Sequence, residues 1–270
     1  MRIALFVVLL AACGSTPPPA EMIDGPLTCQ RWGMAATASV AGAATGAKEA
    51  SPSVAGDHGV LAFTSSPGAI SEIYTLDHFA GSTQAIHADA LDDGTDQRTP
   101  RWNASGTRLY FSRGGALWSA AYDGGAFATP AAEPGLAGET VVGIAVSIDE
   151  TELFYGDNAD ATMATIRYAK RAAIGMPWTA QGPLTGLVNM AGDGTPSLSH
   201  DQLTLYWVSH RDGSAKIYDA VRQMIGAPFG QIEAFPDLPA GATDPDLSSH
   251  DSVFAYTAHD DIVIATRTCM

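Results

Sequence analysis

The sequence predicts an all-β protein, a single β-propeller of five four-stranded blades whose ring is closed by the amino-terminal strand completing the last blade. Three observations carry this. Five twelve-residue segments align without gaps, PSVAGDHGVLAF from Pro52, PRWNASGTRLYF from Pro100, IAVSIDETELFY from Ile144, PSLSHDQLTLYW from Pro196 and PDLSSHDSVFAY from Pro245, with starts 48, 44, 52 and 49 residues apart. That spacing is the length of one propeller blade. Large β-forming residues alternate along the second half of every copy, and a further strand-like segment follows each one.

Taken in chain order, the first thirteen residues read MRIALFVVLLAAC. The apolar run from Ile3 to Leu10 behind Arg2 is far shorter than the roughly 20 residues that span a bilayer, so it reads as a signal peptide over residues 1–12. Leu10-Ala11-Ala12-Cys13 resembles the lipobox of bacterial lipoproteins. The resemblance implies cleavage before Cys13, acylation of that cysteine, and a membrane anchor in the bacterial cell envelope. Gly14 and Ser15, with no acidic residue after Cys13, point by the same analogy to the outer membrane. Residues 13–28 are Pro-rich and aperiodic, an extended tether. The propeller domain is then expected over 29–270. Cys29 and Cys269 stand at its two ends, and in an oxidising compartment such a pair is expected to form a disulfide fastening the first segment to the last.

Within the repeat, the third position is always apolar (Val54, Trp102, Val146, Leu198, Leu247), as suits an inner strand near the propeller axis. The tenth position (Leu61, Leu109, Leu153, Leu205, Phe254) and the twelfth (Phe63, Phe111, Tyr155, Trp207, Tyr256) give the second strand. A polar turn lies between them, with Asp57, Asp149 and Asp201 in one column and Ser105 and His250 replacing them. Third strands are expected at Glu72–Tyr74, Ala116–Trp118, Ile166–Ala169, Ile217–Ala220 and Ile262–Ala265, and fourth strands at Gln231–Phe235 and around Leu184–Val188. Good helix formers over 159–176 offer a helix instead, but Tyr168 falls in the register of the third strands, which favours a strand. The last copy has only three strands before the chain ends, and Ala35–Ala41 is a strand with no blade of its own, so it is assigned to the ring closure.

These residues resemble the WD-like propeller repeats of the TolB type. Pro196-Ser197-Leu198-Ser199-His200-Asp201, Leu205-Tyr206-Trp207, Ser209-His210-Arg211, Ile217-Tyr218-Asp219-Ala220 and the stretch from Trp178 to Leu184 follow that pattern, which covers most of residues 45–268. The chain departs from it in lacking Gly after the turn Asp, in placing Ile144 where Pro is usual, and in a shortened Phe111-Ser112-Arg113. The resemblance implies the fold and an envelope role, and propellers host many activities.

A formal charge of −15, or −16 without Arg2, repels phosphate backbones and anionic headgroups, which excludes nucleic acid and a polybasic membrane contact. Motifs for zinc proteases, thiol redox chemistry and serine hydrolases are missing, and Gly42–Lys48 has the wrong spacing for a phosphate loop. The scattered His200, His210, His250 and His259 show no metal-ligand spacing, and Asp157–Asp160 and His259–Asp261 read as solvated hairpin tips. No cofactor and no metal are therefore expected. The informative polar residues precede the inner strands, where connecting loops converge on one mouth: Asp92, Asp93, Asp96, Arg98 and Arg101, then Glu139, then Asp193 and Thr195, then Asp244 and Asp246. They predict an acidic, hydrogen-bonding rim. A non-catalytic module for an envelope protein or a peptidoglycan-associated partner fits it first. A glycoside-hydrolysing propeller, drawing two carboxylates from Asp96, Glu139, Asp193, Asp244 and Asp246, is the alternative.

Overall fold

The computed structural model describes residues 38–39, 47–56, 59–77, 84–157, 164–187, 192–235, 238–239, 241–248 and 250–266. The expected signal peptide and tether, Cys13, the expected Cys29–Cys269 disulfide and the turn residue Asp57 lie outside them. The described residues form twenty strands in five antiparallel sheets of four. Blade 1 holds β2 (Lys48–Val54), β3 (Leu61–Ser66), β4 (Glu72–Leu76) and β5 (Ile86–His87). Blade 2 holds β6 (Gln97–Trp102), β7 (Arg108–Arg113), β8 (Ala116–Ala121) and β9 (Ala131–Ala132). Blade 3 holds β10 (Gly143–Val146), β11 (Glu152–Asp157), β12 (Thr165–Lys170) and β13 (Thr179–Pro183). Blade 4 holds β14 (Asp193–Leu198), β15 (Thr204–Ser209), β16 (Lys216–Val221) and β17 (Gly230–Ala234). Blade 5 holds β18 (Thr243–Leu247), β19 (Val253–Ala258), β20 (Asp261–Thr266) and, outermost, β1 (Ala38–Ser39).

Ring closure is as the repeat count required, since Ala38 and Ser39 pair with Ile264 and Val263. The inner strands β2, β6, β10, β14 and β18 pack in that order and return from β18 to β2. Residues 165–170 are a strand and not a helix, and all five third strands fall where the sequence placed them. One fourth strand does not. In blade 3 it is Thr179–Pro183, and Leu184–Leu187 is a turn whose two leucines drop into the core beside Trp207 and Phe229. Their apolar character reflects burial by a turn, which sequence alternation cannot distinguish from burial by a strand.

The core is five clusters, each lying between two blades. The alternation of side chains along a strand explains this. Leu109 and Phe111 of β7 face blade 1, while Tyr110 between them faces blade 3. Phe254 and Tyr256 of β19 face blade 4, and Ala255 faces blade 1. Each middle strand therefore buries both faces, with the large residues at the tenth and twelfth positions supplying one side of every interface. Full burial of such a side chain contributes about 1.5–3 kcal/mol.

The inner strands share a second feature. In β2, β6, β14 and β18 the pairing register shifts just where the motif proline enters, and the preceding residue takes a positive φ: Ser51 at 53°, Thr99 at 49°, Thr195 at 44° and Asp244 at 52°. A bulge leaves a residue outside the ladder, so proline costs no strand hydrogen bond there. Blade 3 has Ile144 in place of proline, and its inner strand pairs with β11 without interruption. Gly143 holds the corresponding position, where a Cβ would stand 2.6 Å from the Thr195 backbone.

Candidate functional site

The bulged residues, one from each of blades 1, 2, 4 and 5, gather at the propeller axis as the floor of a cup of about 510 Å³ that opens at one end of the ring. Ser51, Thr99, Thr195 and Asp244 form the floor, with Glu49, Arg98, Asp193, His210 and Asp260 among the walls. The Thr99 and Thr195 hydroxyl oxygens are buried without hydrogen-bond partners. Unsatisfied buried hydroxyls are costly. Burial holds the Asp244 carboxyl above its usual range, against hydrogen bonds from Thr257, Thr243 and the Ser51 backbone and the charge of Arg101. Asp193 is also raised by burial, against Ser209, Arg211 and Trp207. Its Oδ1 accepts the Trp207 indole N–H at 3.3 Å and lies 3.7 Å from Arg211.

Beneath the floor the axis is plugged. Arg101 donates from Nε to the Ile144 carbonyl at 2.7 Å and from Nη2 to those of Pro196 at 3.2 Å and Pro245 at 3.3 Å, and it forms an ion pair with Asp246. The three carbonyls belong to the first motif position of blades 3, 4 and 5, so one guanidinium ties three inner strands together. Burial pushes the Arg101 pKa down to about 9, partly offset by Asp244, and the group stays charged at neutral pH. Asp246 accepts the Val54 N–H at 2.7 Å. In blades 1 and 4 the same second motif position does this with a serine, Ser53 accepting from Trp102 and Ser197 from Leu247. Below the plug the channel narrows to about 50 Å³, walled by the apolar third-position residues Val54, Trp102, Val146, Leu198 and Leu247.

The expected rim therefore divides. Arg98, Asp193, Thr195 and Asp244 line the cup, and Arg101 and Asp246 form the plug below it. The remaining four are occupied elsewhere. Asp92 and Asp93 accept the N–H groups of Gly94 at 2.8 Å and Thr95 at 3.0 Å, and Asp93 pairs with Arg113 at 3.1 Å. Asp96 accepts from Ser71 at 2.8 Å and Arg98 at 2.5 Å. Glu139 holds Tyr155 at 3.0 Å and Arg167 at 2.9 Å. Lys48, Glu49, Ser51 and Thr99 line the cup and were not singled out from the sequence, and His210, which joins them, was read there only as one of the scattered histidines. The usable signal was the residue immediately before each motif proline, a column that varies in chemistry while sharing one place. Outside the cup, Glu72, His87 and Asp92 bring one metal-ligating atom each within 4.8 Å of one another. His87 is there beside two carboxylates, Asp89 at 2.5 Å and Glu72 at 3.6 Å.

Fold and site together define a five-bladed β-propeller with one open mouth and a plugged axis. No protein-family model matches the chain, and no curated protein matches it. Among solved structures, a TolB protein from Agrobacterium tumefaciens is 18% identical, with a TM-score of 0.52 over 80% of this chain and 72% of that one. A gluconolactonase from Xanthomonas campestris is 13% identical, with a TM-score of 0.57 over 90% and 95%. An α-L-arabinofuranosidase from Podospora anserina, solved with cellotriose, is 11% identical, with a TM-score of 0.57 over 86% and 95%. At these identities the likeness is one of fold, which the chain shares with TolB-type propellers and with propeller hydrolases alike.

Proposed function

We propose that this propeller is a non-catalytic binding module of the bacterial cell envelope, anchored through acylated Cys13, which receives a protein or peptidoglycan-associated partner in its cup. The observation that carries this reading is the cup itself, a recess of about 510 Å³ in which charged and hydroxyl side chains stand among apolar surface, closed below by Arg101 and Asp246. That volume lies within the range of ligand-binding recesses. A plugged axis makes the site a receptacle with one entrance. A photo-reactive residue at Lys48, on the cup wall, is expected to trap a discrete partner in intact envelopes, and one at Gln181, on the outer strand of blade 3, is not. Asp244→Asn, which suits the left-handed backbone there, should cut the Lys48 adduct by about tenfold or more. Adducts indifferent to Asp244 and equal at Gln181 count against the cup as the site. Loss of the protein from the membrane fraction in Cys13→Ser tests the anchor separately.

One observation favours a hydrolase as the second reading: Asp193 and Asp244, both raised by burial, share the cup. A carboxyl whose pKa is raised by burial is the starting point for a general acid. Turnover of a glycoside that disappears in both Asp193→Asn and Asp244→Asn would select this reading over the first.

A further inference from the structure

Among the described residues, six large hydrophobic side chains are exposed, and five of them fall on two neighbouring blades, in or beside the loops after their third strands. Ile174 and Met176 lie in the loop after β12, at 54% and 50% exposure. Val221, Met224 and Ile225, at 39%, 65% and 55%, lie at the end of β16 and in the loop after it. The two loops are copies of one motif in adjacent blades, RAAIGMPW over 171–178 and RQMIGAPF over 222–229. Each is stiff. Arg171 and Arg222, buried at the loop bases, stack on Trp178 at 4.2 Å and Phe229 at 4.8 Å. Gly175 and Gly226 turn each tip at φ 82° and 83°, and matching backbone bonds, Met176 to Ala173 and Ala227 to Met224, close the turns at 3.0 Å. Neither loop contains an acidic residue, in a chain of net charge −15. The equivalent loop of blade 2 carries Asp123, Gly124 and Gly125 at its tip instead. A preordered pair of apolar tips loses little conformational freedom on being covered.

Topology says what lies nearby. Asp260, beside the start of β20, lines the cup, so β20 runs from the cup end to the narrow end. Because β1 pairs antiparallel to β20, the chain enters β1 from the narrow end. The loops after β12 and β16 are at that same end, where Ile225 adjoins the turn residues Thr151 and Gln202. Cys13 precedes Ala38 by only 25 residues.

We infer that these tips, Ile174 and Met176 with Met224 and Ile225, rest in the lipid bilayer that holds the Cys13 anchor and turn the cup away from it. The inference depends on the anchor reading. A tether of this length keeps the tips at high local concentration near the surface, so a weak apolar insertion is enough. The absence of acidic groups in both loops avoids the repulsion that the rest of the surface imposes on headgroups.

The test uses the full acylated chain in phosphatidylcholine vesicles with brominated acyl chains, and an environment-sensitive fluorescent amino acid at Ile225 or, at the cup end, at His210. Strong quenching at Ile225 with none at His210 is expected. Replacing Ile174, Met176 and Met224 with serine should abolish quenching at Ile225 while thermal unfolding and flotation with the vesicles stay unchanged, and leucine at the three positions should restore it. Protein that floats with the vesicles but is unquenched at both positions, or quenched equally at both, overturns the inference alone. Protein whose intact mass lacks the acyl chains and which does not float overturns the anchor reading, and the inference with it.

Discussion

Asp219 lies in β16 directly opposite Glu233 in β17, and burial together with that neighbouring charge raises its pKa to about 6. The sign of its effect on stability follows. Between the unfolded value near 4 and the folded value, the native state binds the extra proton, so stability falls as pH rises through that window and the loss is complete above it. Asp219→Asn should therefore stabilise the protein at pH 7 by about 1–2 kcal/mol after solvent screening, with the gain vanishing below about pH 4. Urea unfolding of both proteins at pH 4 and 7 checks this, and an equal effect at the two pH values would contradict it. Residues at this scale also show where sequence reading fell short. The turn glycine of the repeat is missing in blades 3 to 5, where Glu150, Gln202 and Asp251 take left-handed turn positions at φ 56°, 62° and 56°, and is kept in blade 2 as Gly106, following Ser105 in place of Asp. The rim acids Asp92, Asp93, Asp96 and Glu139 looked like the Asp193 and Asp244 pair in sequence. Tertiary placement separates them: the first four hold local turns or arginines away from the cup, whereas Asp244 and Asp193, the latter held by Arg211 and Trp207, belong to its lining.

Between elements, the blades are joined by polar networks as well as by the apolar clusters. Glu150, in the turn before β11, accepts Asn103 of blade 2 at 2.9 Å, hydrogen-bonds the Tyr110 hydroxyl, and pairs with Arg171 at 3.5 Å. Arg171 reaches across to Glu133 of blade 2 at 2.9 Å while stacking on Trp178. Glu152 accepts Arg222 of blade 4 at 2.9 Å. Removing one partner of such a network leaves a buried charge unpaired, so Arg171→Ala should cost about 3–5 kcal/mol. Arg171→Lys should recover little of it, since an ammonium cannot reproduce the fork and the stacking. Denaturation midpoints, with the slope unchanged, would measure both. The strands of these elements were legible because their middle members are buried on both faces and carry large residues at fixed spacing. The fourth strand of blade 3 was not, because outer strands are exposed and lack that pattern.

For the whole molecule, the ring and its plug set what the site can be. Arg101→Ala should destabilise the protein by about 3–5 kcal/mol by leaving Asp246 buried and uncompensated, while Arg101→Met with Asp246→Leu should restore the part owed to that charge and not the part owed to the Val54 N–H and the three carbonyls. Calorimetry of the single and double variants distinguishes this from a simple loss of packing, which would add in the double variant. Period, alternation and the orphan strand near the start were enough to specify five blades and their closure. Those features repeat along the chain, and each copy meets the same physical demand for two buried faces. What only the tertiary structure decided is which polar residues meet. The cup floor takes one residue from each of four blades, at positions 51, 99, 195 and 244, and the plug joins residues 101 and 246 across the axis. Groups that far apart in sequence become neighbours only when the ring closes, and whether a carboxylate faces a ligand, a turn or an arginine depends on that closure.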